Sequence, residues 1–315
     1  MTVREFRRED TGQTTDLWLR AFRGQQRTSS QALRDYFQLI FLGAPWRDEA
    51  LPSLVYEEAG RIVGFLGVMP RRMRFHGKPV RVAVVTQIMA DAQAKNRYAA
   101  LALARRCLAG PQDLTLGDGS NEAADRLWRG FGAEIARLYN LNWLRLLRPF
   151  QHLAELARER RGWAALASSF ALACRAADAV LALGPGSLRL PARDDGLAAE
   201  DATPAVLARG IRELAADRAL APEVEPVALG WLLERAGEKG VHGALVRRVL
   251  RERDGAIAGW YLFYARRGRV AQVLQVAARP ARIGDVLHRL FRETRQQGAV
   301  AVTGQVDPRY MINYA

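Results

Sequence analysis

The stretch Val80–Arg106, which reads VRVAVVTQIMADAQAKNRYAALALARR, decides the fold class of this chain. Residues 80–89 are apolar and rich in β-branched side chains, which predicts a strand with at least one buried face. Residues 97–107 are rich in Ala, Leu and Arg, which are strong helix formers, and a short polar loop, 91–96, separates the two segments. A strand, a tight loop and a helix in this order direct several backbone N–H groups and the positive end of a helix toward one point. Such a point is suited to bind a pyrophosphate.

The composition is that of an ordinary globular chain. Its 315 residues are 49% apolar and 25% charged, which is enough to bury one large core or two of medium size. The formal net charge is +14, and all but three of the 47 basic residues are arginines. Because the arginines are scattered and form no single run, the charge is more typical of genome base composition than of a nucleic-acid footprint. An anionic substrate or a nucleotide cofactor would nevertheless suit it.

Cysteine and histidine use argues against disulfides and bound metal. Cys107 and Cys174 form no CxxC pair, and the four histidines have no ligand spacing, so we expect a reducing, cytoplasmic compartment. No apolar run follows the N-terminus, so we expect no signal peptide. The most apolar helical stretch, 163–183, is interrupted by Arg175 and Asp178. We therefore predict a surface helix and no membrane span.

Working outward from the key stretch, the first half alternates strands and helices. Thr14 or Thr15, and then Ser29 or Ser30, are positioned to cap two helices. A hairpin follows, with its turn at Ala59-Gly60. After the key strand and helix come a short strand, 113–116, a helix capped by Ser120 or Asn121 and ended by Gly132, and a last strand region, 134–147.

This order resembles the GCN5-related N-acetyltransferase (GNAT) fold. The residues that carry the resemblance are the hairpin 54–68, the strand–loop–helix at 80–106, and the tract NEAADRLWRGFG at 121–132. The family usually has Asn, Ala, an aromatic residue and then Gly-Phe at this spacing. The resemblance covers about half of the chain. It implies an α+β domain whose mixed, mostly antiparallel sheet carries helices on both faces.

The resemblance also implies a site for acetyl-CoA as the co-substrate. The loop that holds the pyrophosphate would correspond to residues 93–98, and backbone N–H groups near Met89 to Asp91 would polarise the thioester carbonyl. We therefore expect the cofactor to contact Met89, Ala90, Asp91, Gln93, Ala94, Lys95, Asn96, Arg97, Tyr98 and Asn121. Two residues depart from the family pattern: Tyr98 is bulky where a small residue is usual, and Trp128 stands where Tyr commonly acts as the general acid.

Candidates for proton transfer are therefore sought elsewhere. Asp91 at the strand end and Asp118 in the Gly-Asp-Gly turn are candidate bases, since a carboxylate there can accept an amine proton through water. A structural role for Asp118 in the turn is the alternative. Tyr139 is a candidate acid, and an ordinary half-buried strand aromatic is the alternative for it.

The second half of the chain repeats the element order of the first. We predict an N-terminal GNAT domain over 1–149, a helical linker over 150–186, and a second, degenerate GNAT-like domain over 187–315. In the second domain Ser187–Leu190 is a candidate strand, Thr203 is a candidate cap, and the loop at Arg279–Gly284 stands where 93–98 stands in the first. The second unit stops early. Either it is incomplete, or strands of the first half finish its sheet, or the chain is cut short. An open sheet edge would favour a homodimer.

The function that this pattern predicts is acyl-CoA-dependent transfer of an acetyl group to a primary amine of a small molecule. One alternative is an inactive GNAT-like protein that binds a ligand or partner, because the pyrophosphate loops are degraded and the Tyr is missing. Another is Fem-like aminoacyl transfer from charged tRNA, which the basic charge permits. The sequence does not specify the acceptor.

Overall fold

A computed structural model describes the chain over residues 2–25, 28–91, 98–117, 119, 121–159, 170–183, 190–191 and 193–314. The α+β fold class is confirmed. Two mixed sheets are present, each with six strands. The chain divides into two compact units, of which the first is Met1–Glu134 with Ala215–Val224 and the second is Ile135–Leu214 with Glu225–Ala315.

The first unit is built on a sheet with the strand order β1-β2-β3-β4-β5, and a short strand, β8, pairs with the far end of β3. Its strands are β1 (Thr2–Glu5), β2 (Leu54–Glu58), β3 (Arg61–Phe75), β4 (Lys78–Ala90), β5 (Leu114–Gly117) and β8 (Leu220–Pro222). Its helices are α1 (Thr11–Arg23), α2 (Gln31–Phe41), α3 (Ala99–Leu108) and α4 (Glu122–Gly130). The β4–β5 pair is parallel and its neighbours are antiparallel.

Local sequence signals explain most of these boundaries. Ser30 caps α2 by accepting the Leu33 N–H at 3.3 Å, and Asn121 caps α4 by accepting the Ala124 N–H at 3.0 Å. Ala59 and Gly60 have φ of 50° and 77°, as the tight turn between β2 and β3 requires. Gly132, at φ 85°, follows the end of α4. The capping and turn predictions at these positions are confirmed. The prediction that Thr14 or Thr15 caps the first helix is wrong, because α1 already begins at Thr11.

Each face of the first sheet packs against its own helices. On one face α1 and α2 cover a cluster centred on Phe37, Phe41 and Phe65. On the other face α3 covers a cluster that includes Leu66, Val85 and Leu103. Both clusters are closed to solvent, so β3 and β4 are held firmly from two sides.

The second unit repeats this topology. Its sheet order is β6-β12-β11-β10-β9-β7, and β11 and β12 are parallel, as β4 and β5 are. Its strands are β6 (Asn142–Leu146), β7 (Ala198–Asp201), β9 (Ala244–Arg251), β10 (Ile257–Ala265), β11 (Val270–Ala278) and β12 (Ala301–Gln305). Its helices are α5 (Pro149–Glu159), α6 (Ala171–Leu183), α7 (Pro204–Leu214), α8 (Pro226–Gly237) and α9 (Ile283–Gln296).

The strand β6 belongs to the second unit and not, as expected, to the first. We expected 134–147 to be a strand of the first domain, but residues Arg137–Asn140 form a 3₁₀ turn, and β6 pairs antiparallel with β12. Trp143 of β6 is buried in the core of the second unit, and this burial fixes the strand there. The units therefore divide near residue 134 rather than at 149. Of the three explanations for the short second half, this pairing supports completion by a strand of the first half.

Two strands were not predicted. β7 (Ala198–Asp201) is a short, exposed edge strand without β-branched residues, and β8 (Leu220–Pro222) has only three residues. Both form because a longer strand offers a free edge. β7 pairs with the edge of β9, and β8 pairs with the edge of β3. Of the candidate strand Ser187–Leu190, residues 187–189 lie outside the described residues. The Thr203 cap on α7 is confirmed, since its hydroxyl accepts the Val206 N–H at 3.3 Å.

Candidate functional site

The described pairing of β4 with β5 ends within the first sheet. The two strands are paired from Val82↔Leu114 to Val85↔Gly117, and beyond Val85 the described partners of β4 all lie in β3. The separation coincides with a bulge in β4, where the register against β3 shifts between Phe65 and Gly67. Gln87 lies in this bulge with φ of 53°, which is a rare backbone conformation for a residue other than glycine.

A cavity of about 400 Å³ lies where the strands separate. One side is formed by β4 and the other by the chain between β5 and α4, and α1 and α4 close the ends. The lining residues are Trp18, Phe22, Arg23, Leu66, Val85, Thr86, Gln87, Ile88, Gly117, Gly119, Asn121, Ala124 and Trp128. The cavity is large enough for a slender ligand arm and one small acceptor.

A hydrogen bond from α1 holds the bulge in β4. The indole N–H of Trp18 donates to Oε1 of Gln87 at 2.6 Å, and the ring packs edge-on against Phe37 in the core. The guanidinium of Arg23 lies 5.4 Å from the centre of the same indole ring. The sequence alone did not indicate Trp18, Arg23 or Gln87, because their relation depends on contacts between α1 and β4 that are far apart in the chain.

A second cavity, of about 670 Å³, lies beside the end of β4. It is lined by residues of α1, by Ile88–Asp91, and by the first turns of α3 and α4. The two cavities share Phe22, Ile88, Asn121 and Ala124, so they adjoin across these four side chains. The N-terminal ends of two helices border the second cavity, which favours an anionic group there.

The structure brings together four of the predicted site residues. Met89, Ala90, Asp91 and Asn121 all line the second cavity. The remaining predicted loop residues (Gln93, Ala94, Lys95, Asn96 and Arg97) and the candidate base Asp118 lie outside the described residues. The arrangement of the pyrophosphate loop therefore stays a prediction.

Tyr98 and Tyr139 are both exposed. The Tyr98 side chain is 69% exposed and is not among the residues that line either cavity, so it does not block the opening between β4 and β5. Tyr139 lies in the 3₁₀ turn of the second unit and not on the expected strand. Its backbone carbonyl accepts the side-chain amide of Gln305. Tyr139 is likewise not among the described lining residues of the two cavities.

Asp91 is bound by two arginines. Its carboxylate accepts from Arg20 at 3.3 Å, has Arg61 within 3.9 Å, and is largely buried. Its backbone N–H donates to the Val63 carbonyl at 2.8 Å, so this N–H is not available to polarise a ligand carbonyl. Because directly opposed antiparallel residues alternate between bonded and non-bonded pairs, the neighbouring Ala90 directs its N–H away from β3. Ala90 therefore faces the edge that β5 has left.

The described lining of the first cavity contains no carboxylate and no imidazole; Arg23 is its only ionisable side chain. Trp128 of α4 is half-buried and lines the cavity with an indole, which can donate a hydrogen bond but has no usable acidity. A proton in this cavity therefore has to reach water or a group outside the described lining.

The corresponding loop of the second unit is closed by ion pairs. Arg282, in the loop after β11, donates to both carboxylate oxygens of Glu252 at 2.7 and 2.6 Å and to Asp285 at 2.9 Å. These hydrogen bonds, that of Glu252 first, raise the pKa of Arg282. The guanidinium of Arg282 is thus already bound by carboxylates of its own unit.

The described residues contain neither a metal-binding cluster nor a helix that could span a membrane. Within the described part of the chain, no group of three or more His, Cys, Asp or Glu side chains is arranged to hold a metal ion. None of the described helices has the length and apolarity needed to cross a membrane.

Residues 2–112 match the family model described as an acetyltransferase (GNAT) domain, so the first unit is similar to this domain in sequence. The match ends before β5, and it covers about a third of the chain.

Solved structures agree with the fold at low sequence identity. A probable N-acyltransferase from Enterococcus faecalis has a TM-score of 0.59 and 12% identity, over 96% of this chain and 64% of its own. A GCN5-related N-acetyltransferase from Kribbella flavida has a TM-score of 0.54 and 12% identity, over 98% and 65%. N-Myristoyltransferase from Saccharomyces cerevisiae, solved with myristoyl-CoA, has a TM-score of 0.50 and 10% identity, over 99% and 75%.

These comparisons establish the fold and not the activity. The chain spans just under two thirds of the length of the E. faecalis and K. flavida proteins, and the sequence matches no curated protein.

Proposed function

We propose that the first unit transfers an acetyl group from acetyl-CoA to a primary amine of a small molecule. The observation that carries this proposal is the separation of β4 from β5 beyond Val85, with a cavity on each side of the residues that form the opening. An acyl thioester on a flexible arm needs such an opening, because the arm has to reach an acceptor on the other side of the sheet. The GNAT match over 2–112 supports the same assignment.

In this mechanism the second cavity holds the cofactor and the first cavity holds the acceptor. The loop 93–98 and the N-terminus of α3 would hold the pyrophosphate. The N–H of Ala90, which points away from β3, would donate to the thioester carbonyl and favour attack by the amine. Acetyl transfer forms the C–N bond and breaks the C–S bond; the amine loses one proton, and the sulfur gains one and leaves as the thiol of CoA.

Few acidic or basic side chains are described near the two cavities to transfer a proton. Asp91 is held by Arg20 and Arg61, so in this proposal it positions the amine or a water. Asp118 remains the candidate base. Tyr139 belongs to the second unit, and its assignment as the acid remains a prediction of the sequence.

The cavity lining supports one class of acceptor. Arg23 belongs to the described lining of the first cavity, where its guanidinium can bind an anionic group of the acceptor. An amine that also carries an anionic group would be attracted. We therefore propose an amino acid or a similar zwitterion as the acceptor, in preference to a polyamine or an aminoglycoside.

Filling the opening tests the proposal. Ala124 of α4 lines both cavities, so Ala124→Phe should block the arm. Ala109, an exposed residue at the end of α3, provides the matched control Ala109→Phe. Saturating acetyl-CoA, at about 100 times Kd, should stabilise the wild type and the control by about 2.7 kcal/mol, seen as a higher melting temperature. Ala124→Phe should abolish this shift and the release of CoA in the presence of amines.

Two results would contradict the assignment. If acetyl-CoA gives no shift with the wild type up to millimolar concentration, the domain does not bind this cofactor. If the shift survives in Ala124→Phe, binding occurs elsewhere.

An inactive, ligand-binding protein is the second candidate. It is favoured by Trp128 in place of an acidic phenol and by the lack of a carboxylate or imidazole in the described cavity lining. It predicts a thermal shift with acetyl-CoA but no release of CoA with any amine. Turnover above the rate without protein would exclude it.

The two cysteines are free thiols, which supports the cytoplasm as the proposed location. A homodimer remains a prediction, and light scattering of the full chain tests it.

A further inference from the structure

The helices α5 and α6 form an antiparallel pair in the second unit. Asp178, in the second half of α6, accepts the backbone N–H groups of Phe150 and Gln151 at 3.0 Å each. Its carboxylate thereby caps the N-terminus of α5, where the positive end of the helix dipole favours an anion. The side chain of Gln151 donates to the same carboxylate. The buried carboxylate of Asp178 therefore joins α6 to the N-terminus of α5.

The pair is also fixed to the sheet of its own unit. Arg148, just before α5, donates to the carbonyls of Ala299 and Arg295 beside the end of α9. Burial lowers the pKa of this guanidinium. Glu155 of α5 is buried, lies 3.3 Å from Nδ1 of His152 and is within 3.6 Å of Arg269, which precedes β11. The pair is thus joined to the rest of its own unit by hydrogen bonds and an ion pair.

Large apolar side chains cover the outer faces of the pair. Leu153 is 61% exposed, Leu172 is 78% exposed and Val180 is 69% exposed. Other large apolar side chains in or next to the pair are at least 40% exposed; they are Phe150, Leu156, Phe170 and Leu181. On α6 the exposed residues 172, 176, 179 and 180 recur at helical spacing, so they form one continuous stripe. A surface of this kind marks a docking site.

Among the side chains described in the pair, the acidic ones are buried and the basic ones are exposed. Among the side chains described in α5 and α6, the acidic ones, Glu155 and Asp178, are buried and bound as described above. The two arginines, Arg158 and Arg175, are exposed. Among the described side chains, the outer surface of the pair therefore combines aliphatic and aromatic groups with positive charge.

We propose that the outer face of α5 and α6 docks the protein on an anionic lipid surface. Exposed apolar stripes bordered by arginine are the pattern of helices that lie in a membrane interface. The helices have 11 and 13 residues, too few to span a bilayer, which needs about 20. Lipid is favoured over an apolar protein partner because the exposed ionisable groups described in the pair, Arg158 and Arg175, are both positive. This inference does not depend on the proposed acetyl transfer.

Co-sedimentation of the full chain with lipid vesicles tests the proposal. Vesicles of phosphatidylcholine with 30% phosphatidylglycerol are compared with phosphatidylcholine alone, at about 0.1 M and 0.5 M salt. The first variant is Leu153→Glu/Leu172→Glu/Val180→Glu, which removes the apolar contacts. The second is Arg158→Gln/Arg175→Gln. The matched control is Val227→Glu/Val241→Glu, which changes two valines that are each 74% exposed outside the pair.

We expect the wild type and the control to bind the anionic vesicles, with partition reduced at high salt and on neutral vesicles. The triple variant should lose binding. The arginine variant should bind at least about tenfold more weakly, since each arginine near an anionic surface contributes roughly a fivefold change in partition. Unchanged melting temperatures of the variants show that the fold is intact.

Three results would overturn the proposal. The wild type could fail to bind the anionic vesicles, or the triple variant could bind as well as the wild type. The wild type could also be a dimer that becomes a monomer in the triple variant, which would make this face an interface between copies of the chain.

Discussion

The hydrogen bond between Trp18 and Gln87 is expected to hold the bulge that opens the sheet. Gln87 adopts φ of 53°, which costs roughly 1–2 kcal/mol for a residue with a β-carbon. The 2.6 Å bond from the Trp18 N–H offsets this by about 1 kcal/mol. We expect Gln87→Ala to lose the bond and keep the strain, so that it destabilises the first unit by about 1 kcal/mol. Gln87→Gly loses the bond but relieves the strain, and should be nearly neutral.

The pair of variants is therefore expected to differ in the melting temperature of the first unit, by roughly 2–4 °C. Trp18→Phe keeps an aromatic ring against Phe37 and removes only the donor. In that background Gln87→Ala should cost little more, which corresponds to a coupling free energy of about 1 kcal/mol. Trp18→Phe should also reduce the thermal shift given by acetyl-CoA, because the bulge is then free to close. Equal melting temperatures for Gln87→Ala and Gln87→Gly would refute the reasoning, since they would show that position 87 carries no strain.

Three further predictions concern single residues. Trp128→Tyr should raise the rate of CoA release about fivefold or more if proton delivery limits turnover, within the roughly 10²–10⁴-fold range of general acids, whereas Trp128→Phe should not; equal rates for the two would contradict this. The hydrogen bond from Arg289 lowers the pKa of Asp195 below its usual value of 3.8. The ionised carboxylate therefore stabilises the second unit at pH values above 3.8. This stabilisation is lost as the pH falls through the lowered pKa. The difference in melting temperature between the wild type and Asp195→Asn should shrink from pH 5 toward pH 3, and a constant difference would argue against the ion pair. Burial raises the pKa of Cys107 to about 11, so a thiol reagent at pH 8 should label half-buried Cys174 before it labels Cys107, as mass spectrometry can show; equal labelling of the native chain would contradict the burial.

Helix caps, turns and the position of the key strand were predictable because they depend on neighbours in the sequence. Ser30, Asn121 and Thr203 cap their helices through bonds to the third residue onward. The order of strands and helices then pointed to the fold, and the family match over 2–112 agrees with it. The bulge at Gln87 could not be predicted, because nothing in the sequence TQIMA marks which residue adopts a positive φ.

The candidate site was predictable only in part. Ala90, Asp91 and Asn121 line a cavity because they follow the key strand or precede a helix, positions that the chain order fixes. The binding of Asp91 by Arg20 and Arg61 joins residues up to 71 positions apart in the chain. In the loop of the second unit, Arg282 forms ion pairs with Glu252 and Asp285. The pair with Glu252 likewise depends on tertiary packing.

The sequence by itself determined most of the longer strands and helices, since periodicity, caps and turns are local properties, but it did not indicate β7, β8 or the 3₁₀ turn at Arg137–Asn140. Only the tertiary structure decided to which sheet β6 belongs and where β4 leaves β5. The free energy of burying Trp143 and of pairing a strand edge depends on which partner lies opposite, and that partner, β12, is more than 150 residues further along the chain.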